Sequence, residues 1–262
     1  MTPDPRTPAL MFDGACATLI FDRPDRRNAI NLASWRALPL LIGDAVARRE
    51  TRVIVIRGAG GNFAAGADIA EFDIVFADRT ATLAYLDDMS AATAAIEAAP
   101  VPVIAQINGL CIGAGVAIAA ACDLRIAADD ARFAITPAKL GLAYSAADTR
   151  RVIRAIGASA TRDLLFTGRT IAAAEALALS LVDAVHAPGD IDDAIAAKVA
   201  MIAATSAWTH ARSKAIVQRV LAGQIDDDEV TRGWFADAPE TADYLEGLAA
   251  FRARRTPVFP PR

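Results

Sequence analysis

Two short apolar runs, Leu10-Met11-Phe12 and Ala17-Thr18-Leu19-Ile20-Phe21, flank Asp13-Gly14. That pattern predicts an N-terminal hairpin turning at the Asp-Gly pair. Asp22-Arg23-Pro24-Asp25 reads as a loop, and Asn31 is placed to cap a helix over Leu32 to Arg49. Val53 to Ile56 is a run of β-branched residues without alternation, as expected of a strand covered on both faces. The small-residue stretch from Gly58 to Asp68 reads as a loop, followed by a helix over Thr80 to Ala98. Pro100 and Pro102 precede a strand at Val103 to Ile107. Gly109 to Gly115 then reads as a turn into a helix over Val116 to Ala121, with strands at Leu124 to Ala127 and Arg132 to Ile135. Strands alternating with helices predict an α/β fold. From Ala160 the strand signal fades except at Leu181 to Val185, and helices are expected at Thr161 to Phe166, Ala172 to Leu179, Ile191 to Thr205, Thr209 to Leu221 and Ala242 to Ala253. The expected organisation is a flexible tail over residues 1–8, a core over 9–200 and a helical region over 201–262.

Composition narrows the classes. The chain has 262 residues, 54% hydrophobic and 22% charged, enough for one large packed domain. A net charge of −4 gives no support for nucleic-acid or membrane-surface partners, although Arg23, Arg26 and Arg27 make a local basic cluster suited to an anionic ligand. Cys16, Cys111 and Cys122 lack metal or redox spacing; Cys111 and Cys122 read as buried thiols of a chain suited to a reducing, cytoplasmic compartment. Met1 to Pro8 has no apolar segment typical of a signal peptide. The apolar stretch from Val101 to Cys122 is broken by Gln106, Asn108 and three glycines, which suits a buried strand-turn-helix better than a membrane span.

Two glycine-rich turns carry the candidate chemistry. Phe63-Ala64-Ala65-Gly66-Ala67-Asp68-Ile69 follows a strand and precedes a helical pattern, as does Gly109-Leu110-Cys111-Ile112-Gly113-Ala114-Gly115. Small side chains let a ligand approach backbone N–H groups, and a helix N-terminus adds unpaired donors and the positive end of a dipole. Two such turns converging would form an oxyanion hole; each alone is equally readable as an ordinary tight turn. Neither matches a dinucleotide or P-loop fingerprint.

These segments resemble the enoyl-CoA hydratase/isomerase (crotonase) superfamily. Asp22 to Asn31 is similar to N-R-P-x-x-R-N-A-L-N, Phe63 to Ile69 to F-[AS]-A-G-A-D-[IL], Asn108 to Asp123 to N-G-x-x-x-G-G-G-x-E-L-A-x-x-C-D, and Phe251 to Phe259 to F-x-x-K-R-x-P-x-F. The resemblance implies a spiral of ββα units with C-terminal helices that build a homotrimer or dimer of trimers. It implies an acyl-CoA substrate, with coenzyme A present only as part of the thioester, and no metal. By position it assigns the oxyanion donors to the backbone N–H groups of Ala67 and Ala114. Arg27, Ala29, Ala65, Asp68, Ile69 and Ala70 would line the CoA and thioester site with them.

The sequence also departs from the family. Hydratases of the family use two glutamates for proton transfer; at those positions stand Ala117 and Pro137, neither of which can move a proton. Thr136 to Tyr144 is similar to the T-P-x-x-L-G-x-x-Y stretch of methylmalonyl-CoA decarboxylases, which implies that Thr136 and Tyr144 face a leaving carboxylate. Those enzymes carry a histidine where Ala67 stands. The plainer reading of Tyr144 is a packing residue with a satisfied hydroxyl. Ser145 reads as a turn residue, and Asp148 and Arg150 as a charged helix start. Glu71 and Asp73 read as a solvated helix face or as surrogate bases, and Asp68 as a brace of its loop. His186 and His210 have no triad partner at a recognisable spacing, so surface or interface positions are expected. Three readings stand: an acyl-CoA enzyme of the hydratase/isomerase type, a malonyl-type acyl-CoA decarboxylase, and a non-catalytic acyl-CoA-binding protein.

Overall fold

The computed structural model describes residues 7–262, so the expected N-terminal tail lies outside the described residues up to residue 6. The strands are β1 (Ala9–Asp13), β2 (Cys16–Phe21), β3 (Val53–Gly58), β4 (Val103–Ile107), β5 (Leu110–Ile112), β6 (Leu124–Ala128), β7 (Arg132–Ala134), β8 (Ile171–Ala172) and β9 (Ala184–His186). The helices are α1 (Leu32–Ala47), α2 (Phe72–Val75), α3 (Arg79–Ala98), α4 (Ala114–Ala121), α5 (Ala146–Thr167), α6 (Ala173–Ala178), α7 (Ile191–Ala203), α8 (Ala207–Leu221), α9 (Glu229–Asp237) and α10 (Ala242–Ala253).

A six-stranded sheet runs β1-β2-β3-β4-β6-β9, and a three-stranded sheet runs β5-β7-β8. The β1–β2 pair is antiparallel, with Asp13 opposite Cys16 and Gly14 at φ 52 in the turn, as the Asp-Gly signal predicts. Every other pairing in the large sheet is parallel. Both faces of its centre are covered, which explains the unbroken apolar runs. Ile54 and Ile56 pack on one side in a cluster with Trp35 and Leu38 of α1 and Ile96 of α3. Val53, Val55, Ile104 and Ile126 pack on the other beneath Ile191 and Ile195 of α7.

The chain repeats one path: a strand in the large sheet, a strand in the small sheet, then a helix. β4–β5–α4 and β6–β7–α5 follow it. After β3 the small-sheet strand shrinks to one bridge, Ala64 against Cys111, before α3. This is the expected α/β spiral of ββα units with a helical C-terminal region.

Several elements differ from the sequence reading. The turn expected at Gly109 to Gly115 contains β5, whose short apolar triplet is concealed by flanking glycines. α4 begins at Ala114 rather than Val116, because Gly113 takes φ 51 and ψ −104 and starts the helix early. α5 spans 22 residues with a kink at Gly157, where only Thr161 to Phe166 was expected. α9 was absent from the reading; Asp228 and Thr231 form its capping box. The strand expected at Leu181 to Val185 is shifted to Ala184–His186. No helix among the described residues is long and apolar enough to cross a membrane.

Candidate functional site

The first turn leaves β3 at Gly58, where a Cβ would lie 1.9 Å from the Asn62 carbonyl oxygen. Asn28 fills the space beside it, buried and at φ 57. Its Nδ2 donates to the carbonyls of Ala59 (2.8 Å) and Asn62 (2.6 Å), and its Oδ1 accepts from the Arg23 N–H at 2.9 Å. The Arg23 guanidinium donates to the Ala29 carbonyl and to Asp68 Oδ2, both at 2.8 Å. Asp68 Oδ1 accepts from the Ala70 N–H at 3.2 Å. Asp68 thus braces the loop, and Arg23 is committed to it rather than to a ligand. Arg26 and Arg27 remain exposed.

Backbone pairing completes this turn. The Ala65 N–H donates to the Arg27 carbonyl (3.0 Å), the Ile30 N–H to the Gly66 carbonyl (2.8 Å), and the Asp68 N–H to the Ile30 carbonyl (2.9 Å). This short parallel bridge uses the residues on either side of Ala67. The Ala67 N–H is left on the opposite side, and it has no hydrogen-bond partner among the described residues.

The second turn is stitched to the first. The Ala64 N–H donates to the Leu110 carbonyl, and the Ile112 N–H donates back to the Ala64 carbonyl, both at 2.9 Å. A Cβ on Gly115 would lie 2.8 Å from the Ala64 oxygen, so the two turns touch there. Gly113 donates its N–H to the Ala134 carbonyl at 2.8 Å, and its positive φ suits only glycine. Ala114 is the first residue of α4; its N–H is one of the helix's orphan donors and has no partner among the described residues. The Ala67 and Ala114 N–H groups, like those of Gly66 and Gly115 beside them, have no hydrogen-bond partner among the described residues and sit on turns that share a seam.

The Tyr144 hydroxyl donates to the Gly113 carbonyl at 3.2 Å. Burial pushes its phenol well above the ordinary range; Asp148 and Cys111 act in the same direction and Arg151 opposes them. The Thr136 hydroxyl also faces Gly113, 3.7 Å from where a Cβ would stand. Ala117 is fully buried on α4, and Pro137 opens the 3₁₀ turn Pro137–Lys139. Ser145 caps α5, accepting from the Asp148 N–H at 3.0 Å and donating to Asp148 Oδ2 at 2.7 Å.

Some polar residues sit differently from the sequence reading. Asp148 starts a helix, as expected, and is buried there, paired with Arg151 at 2.8 Å. Arg151 continues to Glu97 Oε2, also at 2.8 Å, joining α5 to α3. Glu71 is not a solvated side chain: it accepts from the Leu32 N–H at 2.6 Å and holds the start of α1. Asp73 is exposed on α2. His210 is half-buried against Thr205, 2.8 Å from its hydroxyl, and His186 ends β9. Among the described residues no group of three or more His, Cys, Asp or Glu side chains gathers to hold a metal. Cavities of about 650 and 470 Å³ lie around α8, and neither is lined by Ala67 or Ala114.

The spiral and its paired turns define a crotonase-type α/β protein. Residues 12–262 match the family model described as enoyl-CoA hydratase/isomerase, and the chain belongs to that family of enzymes acting on CoA thioesters. Among curated relatives, the Bos taurus enoyl-CoA hydratase domain-containing protein 2, mitochondrial, is 32% identical over 263 residues, 93% of this chain and 83% of that protein. Among solved structures, an enoyl-CoA hydratase/carnithine racemase from Magnetospirillum magneticum superposes with a TM-score of 0.93 at 37% identity, covering 97% of this chain and 96% of that one. An enoyl-CoA hydratase from Mycobacterium smegmatis gives 0.87 at 31% identity, with 96% and 98% covered.

Proposed function

We propose that this enzyme binds an acyl-CoA thioester and stabilises its enolate between the N–H groups of Ala67 and Ala114. The observation that carries this reading is the pair of unpartnered N–H groups on turns joined through Ala64 and Cys111. In a water-excluding site each such donor contributes about 3 kcal/mol to an oxyanion transition state. In this proposal Arg27 meets the CoA phosphates. Ala29, Ala65, Ile69 and Ala70 line the thioester arm, and Asp68 acts by fixing the turn. Coenzyme A enters and leaves with the substrate.

Proton transfer sets the reaction apart from hydration. Ala117 and Pro137 occupy the positions of the two hydratase glutamates and offer no acid or base. Loss of positioned acid–base catalysis costs roughly 10²–10⁴-fold, so crotonyl-CoA hydration is expected at least about 100-fold below the rate of a two-glutamate hydratase. Hydration at that enzyme's full rate would refute this reading.

A second reading is decarboxylation of a malonyl-type CoA, favoured by the Thr136 and Tyr144 hydroxyls that both approach Gly113. The bond from the α-carbon to the carboxylate breaks, its electron pair enters the thioester enolate, carbon dioxide leaves, and solvent later protonates the carbon. No carbon-bound proton has to be removed. A panel of acyl-CoA esters followed by mass separates the outcomes: gain of water, loss of carbon dioxide, or isomerisation without mass change. Tight binding without turnover of any ester would point to a non-catalytic acyl-CoA-binding protein.

We further propose a cytoplasmic homotrimer or dimer of trimers built through residues 201–262. Val217, Val220, Phe235, Leu245 and Phe251 expose apolar side chains on α8, α9 and α10, which supports a buried subunit contact. Sedimentation as a monomer at micromolar concentration would remove that part of the proposal.

A further inference from the structure

We infer that Tyr144 is a positioning residue that sets the direction and strength of the Ala114 N–H donor through the peptide group this donor shares with Gly113. The inference rests on the oxyanion reading above. The Gly113 carbonyl and the Ala114 N–H belong to one planar, resonance-coupled unit. A donor to that carbonyl draws electron density along the C–N bond and makes the N–H a stronger donor, as in any chain of polarised hydrogen bonds.

Two groups donate to this carbonyl: the Tyr144 hydroxyl at 3.2 Å and the Ala117 N–H at 3.1 Å. Gly113 has no side chain to hold its peptide plane, and its φ of 51 and ψ of −104 lie outside the wells that restrain other residues. Orientation must therefore come from what grips the carbonyl. The Tyr144 ring is packed against the main core cluster, so its hydroxyl is a fixed grip. Burial keeps the phenol protonated, hence a donor. Asp148, whose charge bears on the phenol, is already occupied by Ser145 and Arg151.

The first turn shows the same device built from backbone. The peptide that carries the Ala67 N–H has its carbonyl at Gly66, and that carbonyl accepts from the Ile30 N–H at 2.8 Å. The Ala67 and Ala114 donors thus each have their peptide gripped from behind. In one turn the grip is a main-chain N–H; in the other a side-chain hydroxyl takes part, and there it can be removed.

Acetoacetyl-CoA is the probe, because its enolate is read directly by ultraviolet absorbance. Wild-type enzyme is expected to enolise the bound probe at a lower pH than water does. In Tyr144→Phe the enolate fraction at a fixed pH below the midpoint is expected to fall about threefold, the loss of one polarising bond in a low-dielectric site. Affinity for acetyl-CoA, whose ground state demands less of the donor, is expected to stay within about twofold. Site-specific 3-fluorotyrosine at position 144, a stronger donor, is expected to raise the enolate fraction, a response that simple packing does not produce. A wild-type shift that Tyr144→Phe leaves intact overturns the inference alone. Absence of any wild-type shift overturns the oxyanion reading, and the inference with it. Should the phenylalanine variant fail to fold, an enolate fraction indifferent to fluorination settles the matter against Tyr144.

Discussion

The turn at residues 63–69 carries the Ala67 N–H and the turn at residues 109–115 the Ala114 N–H, but they are built from different parts. The first is held by main-chain pairing with residues 27–30, and that partner strand is itself fixed by Asn28, Arg23 and Asp68. The second is held by a glycine in a conformation closed to other residues, by close contact with Ala64, and by the Tyr144 hydroxyl. The difference predicts where each is vulnerable. The first fails when a polar brace is cut; the second fails when volume is added or a hydroxyl is taken away.

Cutting the brace is expected to have the largest effect on stability. Arg23 and Asp68 are only 17% and 10% exposed at the side chain. Asp68→Ala leaves a mostly buried guanidinium unpaired and is expected to cost about 3 kcal/mol by chemical denaturation. Enolisation of acetoacetyl-CoA should fall with it, since the Ala67 peptide loses its frame. An unchanged midpoint would show that the pairing of residues 27–30 with 65–68 stands without its ion pair.

Adding volume at the seam comes next. In Gly115→Ala the new methyl meets the Ala64 oxygen at 2.8 Å and the Ala64 Cβ at 3.1 Å, both in the opposite turn. The turns must part by several tenths of an ångström, at a cost of about 1–3 kcal/mol. Enolate stabilisation should drop more steeply than acetyl-CoA affinity. Ala114→Gly is the matched control at the neighbouring position: it keeps the N–H and adds nothing. It should cost at most about 1 kcal/mol of helix stability and leave the enolate fraction nearly unchanged.

The smallest expected effect lies behind the second turn, where Glu97 receives Arg151 and Arg150. Desolvation alone would raise the Glu97 pKa, but hydrogen bonds and charge from the two arginines outweigh it and hold the carboxyl below its ordinary range. A group with a depressed folded-state pKa adds stability above its unfolded pKa and loses it as pH falls through the folded value. Glu97→Gln is therefore expected to destabilise at neutral pH and to approach wild type in acid. Parallel stability curves across the acid range would contradict this.

The alternation of strands and helices and both turns were legible because each depends on side chains that announce themselves. β-branched runs mark strands covered on both faces, and glycines mark sharp turns. What escaped was held by polar groups far apart in sequence. The first half of α5 gives no helical pattern beyond the charged start at Asp148 and Arg150, and its Arg151 is buried against Asp148 and Glu97. Asn28 looks like a motif letter until its amide is seen spanning Ala59 and Asn62. Glu71 resembles a surface acid until it meets the Leu32 N–H across 39 positions. Hydrophobic periodicity reports apolar burial; it carries no record of which distant donor satisfies a buried acceptor. The chemistry of the second turn was likewise only half visible, since the sequence names Tyr144 but not the carbonyl its hydroxyl holds.

Cys111 lies directly beneath the seam, fully buried, with its backbone bridged to Ala64 and its thiol pushed well above the ordinary range by desolvation. A thiol so placed is inert to alkylating reagents while the two turns stay together. Its modification rate becomes a clock for their separation: slow labelling reports a seam that opens only with the whole fold, and fast labelling one that breathes locally. Cys16, half-buried and its thiol also raised by desolvation, gives a less protected reference within the same molecule. The protein thus carries its own stopwatch at the point where its two donors are joined.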